Sequence, residues 1–365
     1  MKTRLLRLTA TVAGLTMAAG LALAQERVVH VYNWSDYIDE SILEDFTKET
    51  GIKVVYDVFD SNEIVETKLL AGGSGYDVVV PTAPFLARQI QAGVFQKLDK
   101  SKLPNLSNMW PQISERLAKY DPGNEYAVNY MWGTTGIGYN VDKVKEILGD
   151  APLDSWDMLF KPENAEKLKA CGVNILDASD ETFAIAMNYI GKDPDSKETA
   201  DLEAGAQVYL DIRPSVISFN SSSYIDELAN GDICITMGWS GDVLQAKARA
   251  EEAENGVNVE YVIPKEGTYM WFDNLAIPAD SKNVDEAHEF INYLMKPEVI
   301  AKASNYVQYA SGNLAAQEFL DKEVLENPAV YPPQETIEKL FAISPYGPRE
   351  QRVLNRLWTQ IKTGS

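Results

Sequence analysis

With 54 acidic against 33 basic side chains, the 365-residue chain is long enough for two domains and carries a formal net charge of −21. Such a surface repels nucleic acid and anionic lipid and attracts cations. Cys171, Cys234, His30 and His288 are too scattered to make a zinc spacing, so no metal centre is expected.

The first 24 residues read as a removable secretory leader. Lys2, Arg4 and Arg7 open it, an Ala/Leu/Val/Thr/Gly-rich run follows, and Ala22-Leu23-Ala24 precedes Gln25. The run is too short and too diluted by Gly and Thr for a membrane anchor, and no Cys precedes Cys171 to take a lipid. No later segment reaches the ~18 consecutive apolar residues of a membrane span. The exported chain keeps 30 basic residues against 54 acids, a net charge near −24. Export permits a Cys171–Cys234 disulfide, with two buried free thiols as the alternative.

Strands and helices then alternate, the mark of an α/β architecture. "VVHVYNW" is a strand. Ile42, Leu43 and Phe46 share a helix face after it, with Asp39 as N-cap and Gly51 as the stop. "IKVVYDVF" is a second strand, "NEIVETKLLAGG" a helix closed by glycines, and "YDVVVPT" a third strand stopped by Pro81. Right-handed crossovers would make this a parallel sheet, with ligands beyond the carboxyl ends of its strands. Trp34 to Tyr37 and Thr82 fall there. "YMWGTTGIGYNVDKV" (130–144), with three glycines, is a candidate crossing between domains. "VNVEYVIPKEGTYMWFDNLAIP" (257–278) is a second. The middle of the chain, roughly 140–255, would then be a domain inserted into the first. "DEAHEFINYLMKPEVIAKAS" is an amphipathic helix broken at Pro297.

Hydrolytic chemistry finds little support. No Gly-x-Ser-x-Gly occurs, His30 and His288 sit inside element patterns, and "GTTGIG" lacks the lysine of a phosphate loop. A different pattern repeats: Trp34 with Asp36 and Tyr37, Trp239 with Asp242, and Trp271 with Asp273. Carboxylates beside aromatic rings suit elongated aliphatic amines. Each ammonium wants a charge-assisted acceptor, and the methylenes want an apolar face with a cation–π component of ~0.5–2 kcal/mol. Taken singly, each Trp also fits a core position and each Asp a turn or cap.

The motifs "YNWSDYI", "ETGIKVVYDVFDSNE", "GYDVVVPTAPF", "TTGIGYNVDKV", "LANGDIC", "GWSGD", "IPKEG" and "WFDNLAIP" together span nearly all of the exported chain. In them the chain resembles the periplasmic putrescine/spermidine substrate-binding proteins of polyamine ABC transporters, and most of all their spermidine-preferring members. The resemblance implies an α/β, two-lobed periplasmic binding protein fold of type II, each lobe a mixed sheet flanked by helices, with ligand in the cleft between lobes. Lobe one would comprise 25–137 plus about 258–309. Lobe two would comprise about 138–257 plus about 310–365.

Matched motif by motif, the resemblance implies ligand contacts from Trp34, Ser35, Asp36, Tyr37, Thr82, Glu181, Trp239, Asp242, Trp271, Asp273 and Tyr309. It also implies a Cys171–Cys234 disulfide. The activity it implies is capture of a polyamine, spermidine before putrescine, in the periplasm and its delivery to an inner-membrane ABC permease. The expected protein is a monomer without cofactor, metal, nucleic-acid partner or enzymatic activity. A secreted hydrolase using an acid pair is the runner-up of a different class.

Overall fold

The computed structural model describes residues 26–364, so the leader expected over 1–24 lies outside the described residues. The strands in chain order are β1 (Val28–Trp34), β2 (Lys53–Phe59), β3 (Val78–Val79), β4 (Ala127–Asn140), β5 (Val173–Ile175), β6 (Ser218–Phe219), β7 (Ile235–Trp239), β8 (Val259–Val262), β9 (Met270–Ala276) and β10 (Ala310–Ser311).

β1 pairs in parallel with both β2 and β3, and the helices Ser41–Thr50 and Asn62–Leu70 are the crossovers. Local chemistry fixes their ends. The N-cap of the first is Glu40, which makes no side-chain cap bond, and not the expected Asp39; from one position earlier the Asp39 carboxylate accepts the Ser41 N–H at 2.9 Å. Gly51 closes the same helix at φ 73°, a left-handed conformation suited to a residue without a Cβ. The apolar side of this helix buries Ile42 and Phe46 against the sheet.

β4 is the spine of the molecule. Its fourteen residues are all buried. Along 127–134 it pairs with β9, and at Met131 and Trp132 its other edge takes β10. Along 135–140 those neighbours are replaced by β7 and β8. One strand therefore serves two mixed sheets: β2, β1, β3, β9 and β10 on one side, and β8, β7, β5 and β6 on the other. The crossing expected over 130–144 lies here. Its glycines have a steric cause, since a Cβ on Gly136 would come within 2.4 Å of the Val262 carbonyl oxygen.

The later boundaries differ from the expected ones. Val259–Val262 pair with Ile137–Asn140, which puts β8 in the second sheet, so the chain returns between β8 and β9 rather than near 258. Ala310 and Ser311 pair with Trp132 and Met131 in the first sheet, so the final departure comes after 311. Phe341 still bridges to Tyr269, whereas the Pro348–Thr363 helix packs on the helices Ser179–Tyr189 and Thr199–Ile212. Strand pairing over long separations decides this, and no local composition marks it.

Cys171 and Cys234 are joined, 63 positions apart, beside the parallel pairing of Val173 with Ile235. Closing such a loop restricts the unfolded chain and contributes roughly 4 kcal/mol in the chain-entropy model. Replacing both cysteines with serine is expected to lower the thermal midpoint by several degrees, with ligand affinity unchanged in the folded protein. Calorimetric melting with and without reductant checks this. His30 and His288 serve the fold. The Nε2 of His288 accepts the Asp99 N–H at 2.9 Å, leaving Nδ1 to donate to the Val284 carbonyl at 2.7 Å.

Candidate functional site

The ends of β1 and β7, the first half of β9 and the starts of the helices Ser179–Tyr189 and Ser240–Glu252 converge on one cleft of about 790 Å³ of open space, its mouth included. Trp34, Ser35, Tyr37, Thr82, Glu181, Trp239, Asp242, Trp271, Asp273 and Tyr309 all line it. Ten of the eleven residues expected at a site are thus brought together.

Three carboxylates define the cleft, and each is held in the same manner. Asp273 accepts from the Tyr37 hydroxyl at 2.9 Å and the Thr82 hydroxyl at 2.7 Å. Asp242 accepts from Tyr309 at 2.6 Å and Tyr224 at 2.9 Å. Glu181 accepts from the Thr135 hydroxyl and from the Trp239 indole N–H at 3.0 Å. All these donors are neutral. Among the described residues none of the three acids makes an ion pair with Lys or Arg, and each keeps acceptor capacity for a ligand.

Loss of hydration raises all three carboxyl groups. Asp242 is pushed up to about 6, Asp273 to about 7 and Glu181 to about 8. The hydroxyl and indole bonds oppose the shift without cancelling it. The cleft therefore holds desolvated acids that lack a counter-charge, an arrangement suited to receiving cations.

The rings form the remaining wall. Trp34 meets Trp239 edge-on at 5.7 Å between centroids, Tyr37 meets Tyr309 at 5.4 Å, and Tyr309 meets Trp271 at 5.0 Å. The Trp34 indole is anchored by donating to the Val80 carbonyl at 2.9 Å. The buried Trp271 Nε1–H meets no acceptor among the described residues.

Asp36 does not belong to this set and corrects the sequence reading. Its backbone turns through φ 52°, which sends Trp34 and Tyr37 into the cleft and the Asp36 carboxylate to the rim. There it accepts from the Arg249 guanidinium at 2.7 Å, and the Gln245 amide donates to its carbonyl at 3.4 Å. Asp36 thus ties the end of β1 to the Ser240–Glu252 helix. With about two-fifths of its side chain exposed, this ion pair is worth ~1 kcal/mol or less. Asp36→Asn is accordingly expected to weaken ligand binding roughly threefold. A hundredfold loss in a titration would return Asp36 to the ligand set.

The repeated Trp–Asp spacing is also not a set of local pairs. Trp239 bonds Glu181 rather than Asp242, and Asp273 is held by Tyr37 and Thr82 rather than by its neighbour Trp271. Thr135 and Tyr224, which orient two of the acids, carried no sequence signal beyond a glycine-rich run and a serine cluster. Glu63, Asp177 and Asp180 also line the cleft; Asp177 is bridged by Lys362 at 2.9 Å and Asp180 by Arg88 at 3.4 Å.

Residues 41–332 match the family model described as bacterial extracellular solute-binding protein. The chain is 55% identical over 361 residues to the putrescine-binding periplasmic protein PotF of Escherichia coli K12, covering 98% of both chains. It is 54% identical over 359 residues to the putrescine-binding periplasmic protein SpuD of Pseudomonas aeruginosa UCBPP-PA14, covering 97% of this chain and 98% of the other. Among solved structures, a putative spermidine/putrescine ABC transporter protein from Listeria monocytogenes superposes with a TM-score of 0.83 at 35% identity, over 93% of this chain and all of that one.

Proposed function

Since the chain belongs to the family of bacterial extracellular solute-binding proteins, we propose that it captures a polyamine in the periplasm and delivers it to an ABC transporter permease. Its two-sided α/β architecture is that of the type II periplasmic binding proteins. Binding and release, without chemistry on the ligand, is the activity that fits the family. The single observation carrying the reading is the trio Glu181, Asp242 and Asp273: buried, bonded only to neutral donors, and walled by indole and phenol rings.

A polyamine matches each element of that trio. Ammonium groups supply the missing counter-charges through short, charge-assisted bonds, and the rings cover the methylenes. A mono-amine would leave buried carboxylates unpaired, which is the basis for rejecting it. Trp34, Ser35, Tyr37, Thr82, Trp239, Trp271 and Tyr309 are the proposed ligand contacts beside the three acids. The two sheets would move about β4 and the β8–β9 connection as hinges, closing the cleft on its ligand.

Putrescine is the first ligand of choice. The resemblance in sequence motifs implies spermidine first, but the relatives at 54% and 55% identity carry putrescine in their names, which backs the diamine better. One observation keeps spermidine as a second reading: the cleft is also lined by Glu63, a carboxyl that among the described residues makes no ion pair and could receive a third ammonium, whereas Asp177 and Asp180 are bridged by Lys362 and Arg88. Calorimetric titration with putrescine, cadaverine, spermidine and spermine tests both. Tight binding of putrescine with intact recovery of the amine is expected, and no heat with any of the four would sink the reading.

A further inference from the structure

Gly133 sits in β4 directly opposite Trp271 in β9, so their side-chain positions share one face of the sheet. A Cβ built on Gly133 would lie 2.5 Å from Cζ2 and 2.9 Å from Cη2 of the Trp271 indole, and 3.0 Å from the Ser240 hydroxyl oxygen. The outer ring of Trp271 therefore occupies the space in which residue 133 would carry its side chain. It is wedged between the β4 backbone and the start of the Ser240–Glu252 helix, with Tyr309 edge-on at 5.0 Å. Gly133 does not sit in the left-handed region, unlike Gly51 or Gly267, so its backbone makes no demand for glycine. The demand comes chiefly from the indole, with the Ser240 hydroxyl a second close neighbour.

We infer that Gly133 is a specificity-determining residue: by lacking a side chain it lets the Trp271 ring lie back against β4, and so it sets the room left in the amine slot. The inference rests on the polyamine reading above. A methyl group at 133 cannot share the space with the ring at 2.5 Å, because carbon atoms in contact sit 3.5–4.0 Å apart. The β4 backbone lies beneath the ring, and Tyr309 and Ser240 lie at its edges, so the yielding direction is toward the cleft. A longer amine then loses more than a shorter one. Trp271 and Gly133 act as a pair, and neither residue by itself states how large the slot is.

The test is a double-mutant cycle read as the ratio of spermidine to putrescine affinity, by calorimetry on the intact protein. Gly133→Ala is expected to lower this ratio roughly tenfold, the scale at which one methyl-sized group discriminates in a tight pocket. In a Trp271→Phe background the same methyl fills vacated space, and Gly133→Ala there is expected to leave the ratio within about twofold. Equal loss of both amines in Gly133→Ala, or no change in either, overturns the inference, since a merely structural role would lower the melting temperature without moving the ratio. Should Gly133→Ala fail to fold, the Phe background carries the test. A methyl that unfolds the protein or shifts the ratio there as well overturns the inference. Wild-type protein that binds neither amine refutes the polyamine reading instead.

Discussion

Asp273→Asn is expected to lower polyamine affinity by roughly a hundredfold or more, while the ligand-free protein melts no lower than the wild type. Removing one partner of a buried, hydrogen-bonded charge pair costs about 3 kcal/mol or more, mostly by leaving the other charge unpaired. Here that other charge is the ligand's ammonium. Asp273 is 6% exposed and held by Tyr37 and Thr82, so it cannot be replaced by a neighbouring acid without moving the β9 backbone. The ligand-free protein behaves oppositely. Its Asp273 carboxyl is pushed up to about 7 by burial, which means the ionised form is disfavoured in the folded state. A neutral isostere removes that cost. Titration calorimetry and thermal melting on one preparation check both halves. Affinity within threefold of wild type would remove Asp273 from the site.

Binding is expected to tighten steeply as pH rises from about 5.5 to 8.5, with release of protons. In the ligand-free cleft the three acids lie at about 6, 7 and 8, above their ordinary values of 3.8 and 4.5. An ammonium alongside pulls each back down, so protons leave on binding and affinity rises with pH until the free groups are ionised. Aliphatic ammonium groups near the lysine value of ~10.4 stay charged throughout this window. The stability of the ligand-free protein follows the reverse sign. A carboxyl whose folded value is raised binds more protons folded than unfolded, so these three groups destabilise the fold as pH climbs from about 4 to 8. The ligand-induced rise in melting temperature should therefore be larger at pH 8 than at pH 5.5. Calorimetry in buffers of different ionisation enthalpy counts these protons, and affinity flat from pH 5.5 to 8.5 would contradict the raised values.

Several features were legible locally because their causes are local. The start of the first helix near Asp39, its stop at Gly51 and the β1–β3 crossovers depend on residues within a few positions of one another. The aromatic–carboxylate composition of the cleft was readable too, since strand ends and helix starts are where side chains can leave the core.

The amino-acid sequence by itself determined an acidic α/β chain, a glycine-rich crossing strand and several of the acids and rings that meet in the cleft, with Glu181 and Tyr309 entering only through the family resemblance. Only the tertiary structure decided who holds whom. Tyr37 and Asp273 are 236 positions apart, and Thr135 and Glu181 are 46 apart, so no spacing rule links them. It also decided that Asp36, inside the most conspicuous motif, turns away at φ 52° to Arg249. The same holds for Gly133, whose lack of a side chain matters because β9 lays Trp271 across it. Backbone propensities act over one turn or one strand. The desolvation and steric contact that make a binding site arise only when remote segments pack.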